Sequence, residues 1–129
     1  MTVSIRYIVK NVDEAIPFYT EALGFHLDMH PAPGFASLSH GDLRLLLNAP
    51  GGGGGAGRAM DDGAMPQPGG WNRFQLEVAN IEEFVAGLKE RGVKLRSEII
   101  TGNGGKQVLA EDPSGNAVEI FQAFESPRG

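Results

Sequence analysis

No cysteine occurs among the 129 residues, which excludes a disulfide scaffold, thiolate-bound zinc and a thiol nucleophile. The absence fits a reducing compartment. Cations are few: 11 Lys and Arg stand against 16 Asp and Glu, for a net charge of −5, and they nowhere form a run. Without clustered Lys and Arg the chain lacks the means to neutralise phosphates, so nucleic acid is not an expected partner. An anionic membrane surface is disfavoured on the same ground. No stretch approaches the roughly 20 consecutive apolar residues that span a bilayer. Met1 to Lys10 shows no basic segment followed by an apolar run, so no secretory signal is expected and the cytoplasm is the expected compartment.

What is present suits an ordinary globular protein. Hydrophobic residues make up 41% and charged ones 21%, enough to bury a core within one domain spanning 1–129. One pattern is written twice. Val9-Lys10-Asn11-Val12-Asp13-Glu14 matches Val78-Ala79-Asn80-Ile81-Glu82-Glu83. Each copy follows an alternating apolar segment and opens a helix, with Asn as N-cap and Glu at capping-box spacing. His40-Gly41-Asp42-Leu43 sits in its half as Ser114-Gly115-Asn116-Ala117 sits in the other, and both carry Gly-plus-Asx hairpin signals. Helices are expected at about 13–23 and 81–91, with apolar stripes at Ile16, Tyr19, Ala22 and Leu23 and at Phe84, Val85 and Leu88, stopped by Gly24 and Gly92. Pro17 is expected near the first turn of its helix, where a missing N–H costs little. Strands are expected at 3–10, 25–30, 35–39 and 43–48, then at 72–78, 94–99, 106–111 and 117–122. Unit one is thus 1–48 and unit two 71–124, each β-α-β-β-β, giving an α+β fold.

Between them, 49–70 contains five consecutive glycines, Gly51 to Gly55, and prolines at 50, 66 and 68. This composition builds no core and reads as a spacer or as a flap over a site. It is not a phosphate cradle, because no Lys-Ser or Lys-Thr and no helix follow the glycines.

The run Asp13 to Phe25, with Pro17-Phe18-Tyr19 and Leu23-Gly24-Phe25, resembles the first unit of the vicinal oxygen chelate superfamily. Glu111-Asp112-Pro113-Ser114-Gly115-Asn116, followed by Val118-Glu119, resembles its last strand pair. The likeness covers about 4–122. It implies two βαβββ units forming a U-shaped mixed sheet with the helices on the convex side. Strand alternation then puts Ile5, Tyr7, Val9, Phe74, Leu76 and Val78 under the helices. Ser4, Arg6, Ile8, Arg73, Gln75 and Glu77 face the cavity.

Enzymatic members of the superfamily hold a divalent metal at up to four cavity positions. In the register of the repeat these are Ser4, Leu45, Arg73 and Glu119. Only Glu119 is an ordinary ligand; Leu45 has no lone pair, and Arg73 is a permanent cation. One carboxylate does not make a site, and the neighbours Ile5, Arg44, Leu46, Phe74 and Val118 are no better. His26 and His30 have a zinc-helix spacing but fall on an expected strand, where four residues span roughly 13 Å; His40 falls at a turn. No metal, no cofactor and no catalytic residue is therefore expected. Arg73 and Glu119 are expected either to form an ion pair where the metal would sit or to be solvated separately.

A cavity of this kind works by shape and apolar contact. Trp71, Phe35, Met29, Leu45, Leu47 and Phe121 are candidate walls, with Ser4, Arg6, Arg73, Gln75 and Glu119 as polar contacts. Aromatic rings favour planar ligands and Met29 an irregular shape. Core packing is the competing role for Leu45, Leu47 and Phe121. Small metal-free members of the superfamily bind bleomycin- or mitomycin-like antibiotics, and related proteins hold enediynes. The resemblance thus implies a non-catalytic homodimer that sequesters a bulky, partly aromatic natural product for self-resistance. Three alternatives remain: a metal-independent isomerase or lyase using Glu119, Glu77 or Ser4, a metal-dependent glyoxalase- or dioxygenase-like enzyme, and a module for protein contacts.

Overall fold

The computed structural model of the chain describes residues 2–51 and 55–125. Its first unit runs β1 (Ser4–Ile8), α1 (Val12–Pro17), β2 (His26–Ala32), β3 (Phe35–His40) and β4 (Leu43–Asn48). The strands lie in the order β1-β4-β3-β2, with β1 parallel to β4 and the rest antiparallel. The second unit runs β5 (Gln75–Glu77), α2 (Ile81–Glu90), β6 (Lys94–Leu95), β7 (Ile100–Thr101), β8 (Gly105–Glu111) and β9 (Ala117–Ala123). Here the order is β5-β9-β8-β6, with β7 also on β8, and β5 is parallel to β9. The fold is α+β with two mixed sheets, as expected. The two units divide between Gly69 and Gly70, and the turn Pro113–Asn116 belongs to the first. Ser114 Oγ in that turn accepts from Lys10 N at 2.7 Å. Asn116 accepts from Gly69 N at 2.7 Å and donates to the Ile8 carbonyl at 2.8 Å.

Both helices start as the repeat predicts. Asn11 accepts from Glu14 N at 2.9 Å and Asn80 from Glu83 N at 3.1 Å, each satisfying a first-turn donor. Gly24 and Gly92 follow the helices with φ of +79° and +76°, a conformation that costs glycine little. The first helix departs from expectation in its second half. Pro17 is the last α-helical residue, and Phe18–Ala22 winds as a π-helix in which Leu23 N reaches the Phe18 carbonyl at 3.3 Å. Pro17 withholds one ladder bond, and the wider turn begins at the residue after it. The buried stripe is accordingly Val12, Ala15, Phe18, Tyr19 and Leu23, while Ile16 and Ala22 are half-buried. Tyr19 centres this core, edge-on to Tyr7, Phe18 and Phe25.

The strand expected at 94–99 is broken. Leu95 pairs with Ala110 and Ile100 with Gln107, so five steps on one strand oppose three on the other. The surplus bulges out at Ser97, Glu98 and Ile99, which splits β6 from β7. The stretch 49–70 holds no helix or strand among its described residues. It is a succession of turns closed locally, as from Gly51 N to the Gly57 carbonyl at 2.7 Å and from Met60 N to the Ala64 carbonyl at 2.8 Å. Gly52, Gly53 and Gly54 lie outside the described residues. No helix among the described residues is long and apolar enough to cross a membrane.

Candidate functional site

Each sheet has a helix-side face and a helix-free face. In the second unit, Leu76, Val108, Ala110, Val118 and Ile120 are buried on the side of α2. The alternating residues Gln75, Glu119, Phe121, Gln107 and Leu109 share the opposite face by their register. Glu119 is the centre of that face, 8% exposed. Its Oε1 accepts from Arg73 Nε at 3.0 Å and Nη2 at 2.9 Å. Its Oε2 accepts from Gln75 Nε2 at 2.6 Å. The expected pairing of Arg73 with Glu119 is therefore present, as a charge-assisted fork, and Gln75 completes it. Arg73 also donates to the Trp71 carbonyl at 3.3 Å.

Next to this fork is a second cluster that sequence reasoning missed. The Arg96 guanidinium lies 4.6 Å from the centre of the Trp71 ring, a cation–π distance, and its Nε donates to Glu111 Oε2 at 2.9 Å. Lys94 stands 3.7 Å from the other oxygen of Glu111. Trp71 is 69% exposed, so its ring is held by a cation rather than buried in a core. Phe121 is half-buried, packed above Gly105, where a Cβ would meet the Gln122 carbonyl and come within 2.9 Å of the Phe121 ring.

In the first unit the helix-side face carries Tyr7, Leu45, Leu47, Leu38 and Ala36, all buried and joined in register. Leu45 and Leu47 are thus core residues, not cavity walls. Tyr7 pairs with Leu47 and its repeat counterpart Leu76 pairs with Ile120, which makes Leu46 the counterpart of Glu119. Seven positions separate the core pair Leu38 and Leu45, and eight separate Ala110 and Val118. The second hairpin is one residue longer, and a one-residue slip exchanges the two faces of a strand. The helix-free face of this unit carries Ser4, Arg6 and Ile8, then Arg44, Leu46 and Asn48, then Phe35, Ser37 and Ser39, with Met29 beside Ser37. Ser4, Arg6, Phe35 and Met29 are therefore on the face expected for them.

The histidines are dispersed. His26 Nδ1 is 2.8 Å from Asp28, His30 lies 3.5 Å from Asp13, and the His40 ring packs 5.2 Å from Phe25. Hydrogen bonds from His26 and then Ser39 hold the Asp28 carboxyl below the usual carboxylate range.

These donors do not fit a divalent metal. Both oxygens of Glu119 are engaged, one by a guanidinium that would repel a cation. Ser4 and Leu46, the counterparts of Arg73 and Glu119, offer a hydroxyl and an alkyl group. Among the described residues no three His, Asp or Glu side chains converge.

The family model described as the Glyoxalase/Bleomycin resistance protein/Dioxygenase superfamily matches residues 3–120. The chain belongs to that superfamily. No curated protein matches it in sequence. Solved members share its fold. A superfamily member from Sphaerobacter thermophilus DSM 20745 is 24% identical with a TM-score of 0.74, covering 95% of this chain and 96% of its own. TnmS3, an antibiotic binding protein from Streptomyces sp. CB03234, is 23% identical with a TM-score of 0.71, covering 96% of each chain. Lactoylglutathione lyase from Agrobacterium tumefaciens is 20% identical with a TM-score of 0.72, covering 95% of this chain and 92% of its own. The same fold thus occurs in a protein described as an antibiotic binder and in one described as a lyase, and the chemistry of the site must distinguish such roles.

Proposed function

We propose that this chain binds a bulky, partly aromatic small molecule of antibiotic-like chemistry and holds it unchanged, acting as a cytoplasmic homodimer that gives self-resistance. The observation that carries the reading is the saturation of Glu119. A carboxylate that accepts from Arg73 on one oxygen and Gln75 on the other has both oxygens engaged, and the permanent guanidinium charge beside it opposes a divalent cation. What remains on this face serves recognition. Trp71 offers an open ring pre-oriented by Arg96, Phe121 a second aromatic surface, and the Arg73–Glu119–Gln75 fork a fixed polar floor. The similarity to TnmS3 supports the same reading.

The test is a thermal-shift screen against aromatic antibiotics, followed by mass analysis of the ligand recovered from each stabilised sample. Unchanged ligand supports sequestration. A converted product would establish an enzyme instead, and no shift across the library would leave a module for protein contacts.

A further inference from the structure

The two sheet faces differ in how far their polar groups are used. In the second unit Arg73 and Gln75 are bonded to Glu119, and Arg96 to Glu111. In the first unit the corresponding face is left with unused groups. Arg6 and Arg44 are exposed and make no ion pair or hydrogen bond among the described residues. Arg6 pairs with Leu46 and Arg44 with Ser4, so the two arginines are diagonal neighbours on adjacent strands, roughly 7–8 Å apart at their backbones. Like charges so placed repel unless an anion lies between them. Asp28 feels the charge of Arg44, but its carboxyl hydrogen-bonds His26 at 2.8 Å and Ser39 at 3.1 Å instead of a guanidinium.

A second observation points to the same place. Ser37 lies in register with Leu46, and its hydroxyl makes no hydrogen bond among the described residues. In the next row Asn48, 4% exposed, has an enclosed Oδ1 with no hydrogen bond. A buried polar atom without a partner, such as this Oδ1, is uncommon in folded proteins. Around them stand Leu46, Ile8 and Phe35, half-buried, and Met29, exposed. Two guanidiniums without hydrogen bonds at one end, a hydroxyl without one along the middle, and apolar side chains between them form a site for a molecule with one charged end.

We propose that the helix-free face of the first unit binds an oxyanion, carboxylate or phosphate, carried on an apolar body, with Arg6 and Arg44 gripping the anion. Guanidiniums suit this task because their planar donor fork matches both groups. Ser37 donates to the oxyanion or a neighbouring carbonyl. This assignment rests on the reading of the chain as a small-molecule binder and adds an anion-directed site within the first unit.

The test uses three probes of one shape: 2-naphthoate, 2-naphthyl phosphate and the uncharged 2-naphthamide. Binding to the full chain is followed by titration and by backbone amide shifts. Naphthoate or naphthyl phosphate should bind at least tenfold more tightly than the amide, and the stronger of the two identifies the anion. Shifts should concentrate at Arg6, Ser37, Leu46 and Asn48. Arg6→Gln and Arg44→Gln, both at exposed positions, should each remove most of the anion preference while leaving the ligand-free melting temperature unchanged. Equal binding of all three probes would overturn the anion site while leaving the ligand-binding reading intact. Failure of all three to bind, or shifts confined to the second unit, would also overturn it, and the antibiotic screen alone would then decide the broader reading.

Discussion

Arg73 and Glu119 are joined by two guanidinium nitrogens on one carboxylate oxygen, at 3.0 and 2.9 Å, with the Glu119 side chain 10% exposed and that of Arg73 29%. A pair this far from water is costly to break from one side, because the survivor keeps its charge without a partner. Arg73→Met should lower stability by about 2–3 kcal/mol, below the range for a fully enclosed pair because Arg73 is part-exposed. Arg73→Met with Glu119→Leu should recover much of the loss. Urea midpoints of the two single variants and the double variant measure the coupling, and additive losses would show that the pair contributes nothing jointly.

Gly105 is the position where the second sheet has no room for a side chain. A Cβ there would strike the Gln122 carbonyl and crowd the Phe121 ring. Gly105→Ala should therefore cost about 1–3 kcal/mol, the usual range for overpacking, and should displace the Phe121 ring. A melting curve reads the first effect and aromatic proton shifts the second.

Trp71 is exposed and stacked on Arg96, so its removal should scarcely disturb folding. Losing an exposed cation–π contact costs about 0.5–1 kcal/mol. Trp71→Ala should nevertheless weaken an aromatic ligand by about 1–3 kcal/mol if the ring is an anchor. Titrating the variant with a ligand from the antibiotic screen checks this, and unchanged affinity removes Trp71 from the site.

Asp28 should titrate below the 3.8 ordinary for an aspartate, because His26 and Ser39 hydrogen-bond its charged form. A carboxyl depressed by folding stabilises the protein above its unfolded-state value, and that contribution is lost as pH falls through the folded-state value. Carboxyl chemical shifts followed down the acid range test the direction. Ser39→Ala should move the midpoint upward.

The helix starts were legible because a cap is local: Asn11 and Asn80 announce themselves by type and by the Glu three residues on. The face alternation of β1 and β5 was legible for the same reason, since period two needs no tertiary knowledge. The register of β4 was not. Gly41 and Gly115 look like equivalent turn residues, but the extra residue in the second hairpin lies in the pairing and not in the motif. Leu45 therefore passed for a cavity residue when Leu46 holds that place. The break between β6 and β7 was hidden because Ile99 and Ile100 continue an apolar pattern through the bulge. The Arg73–Glu119 pair could be inferred because both residues sit at repeat-related positions. Arg96 and Glu111 could not, since Arg96 reaches Trp71 only through the path the chain takes after Leu95. Alternation of Lys94 and Arg96 away from the helix side was the available signal.

Isothermal titration of the purified chain with Ni²⁺, Zn²⁺ and Mn²⁺, alongside Glu119→Gln, tests most directly the claim that this face recognises a molecule and holds no catalytic metal. The account predicts no stoichiometric uptake by the wild-type chain and no difference between it and the variant. One equivalent of metal bound by the wild type and lost with Glu119→Gln would contradict it.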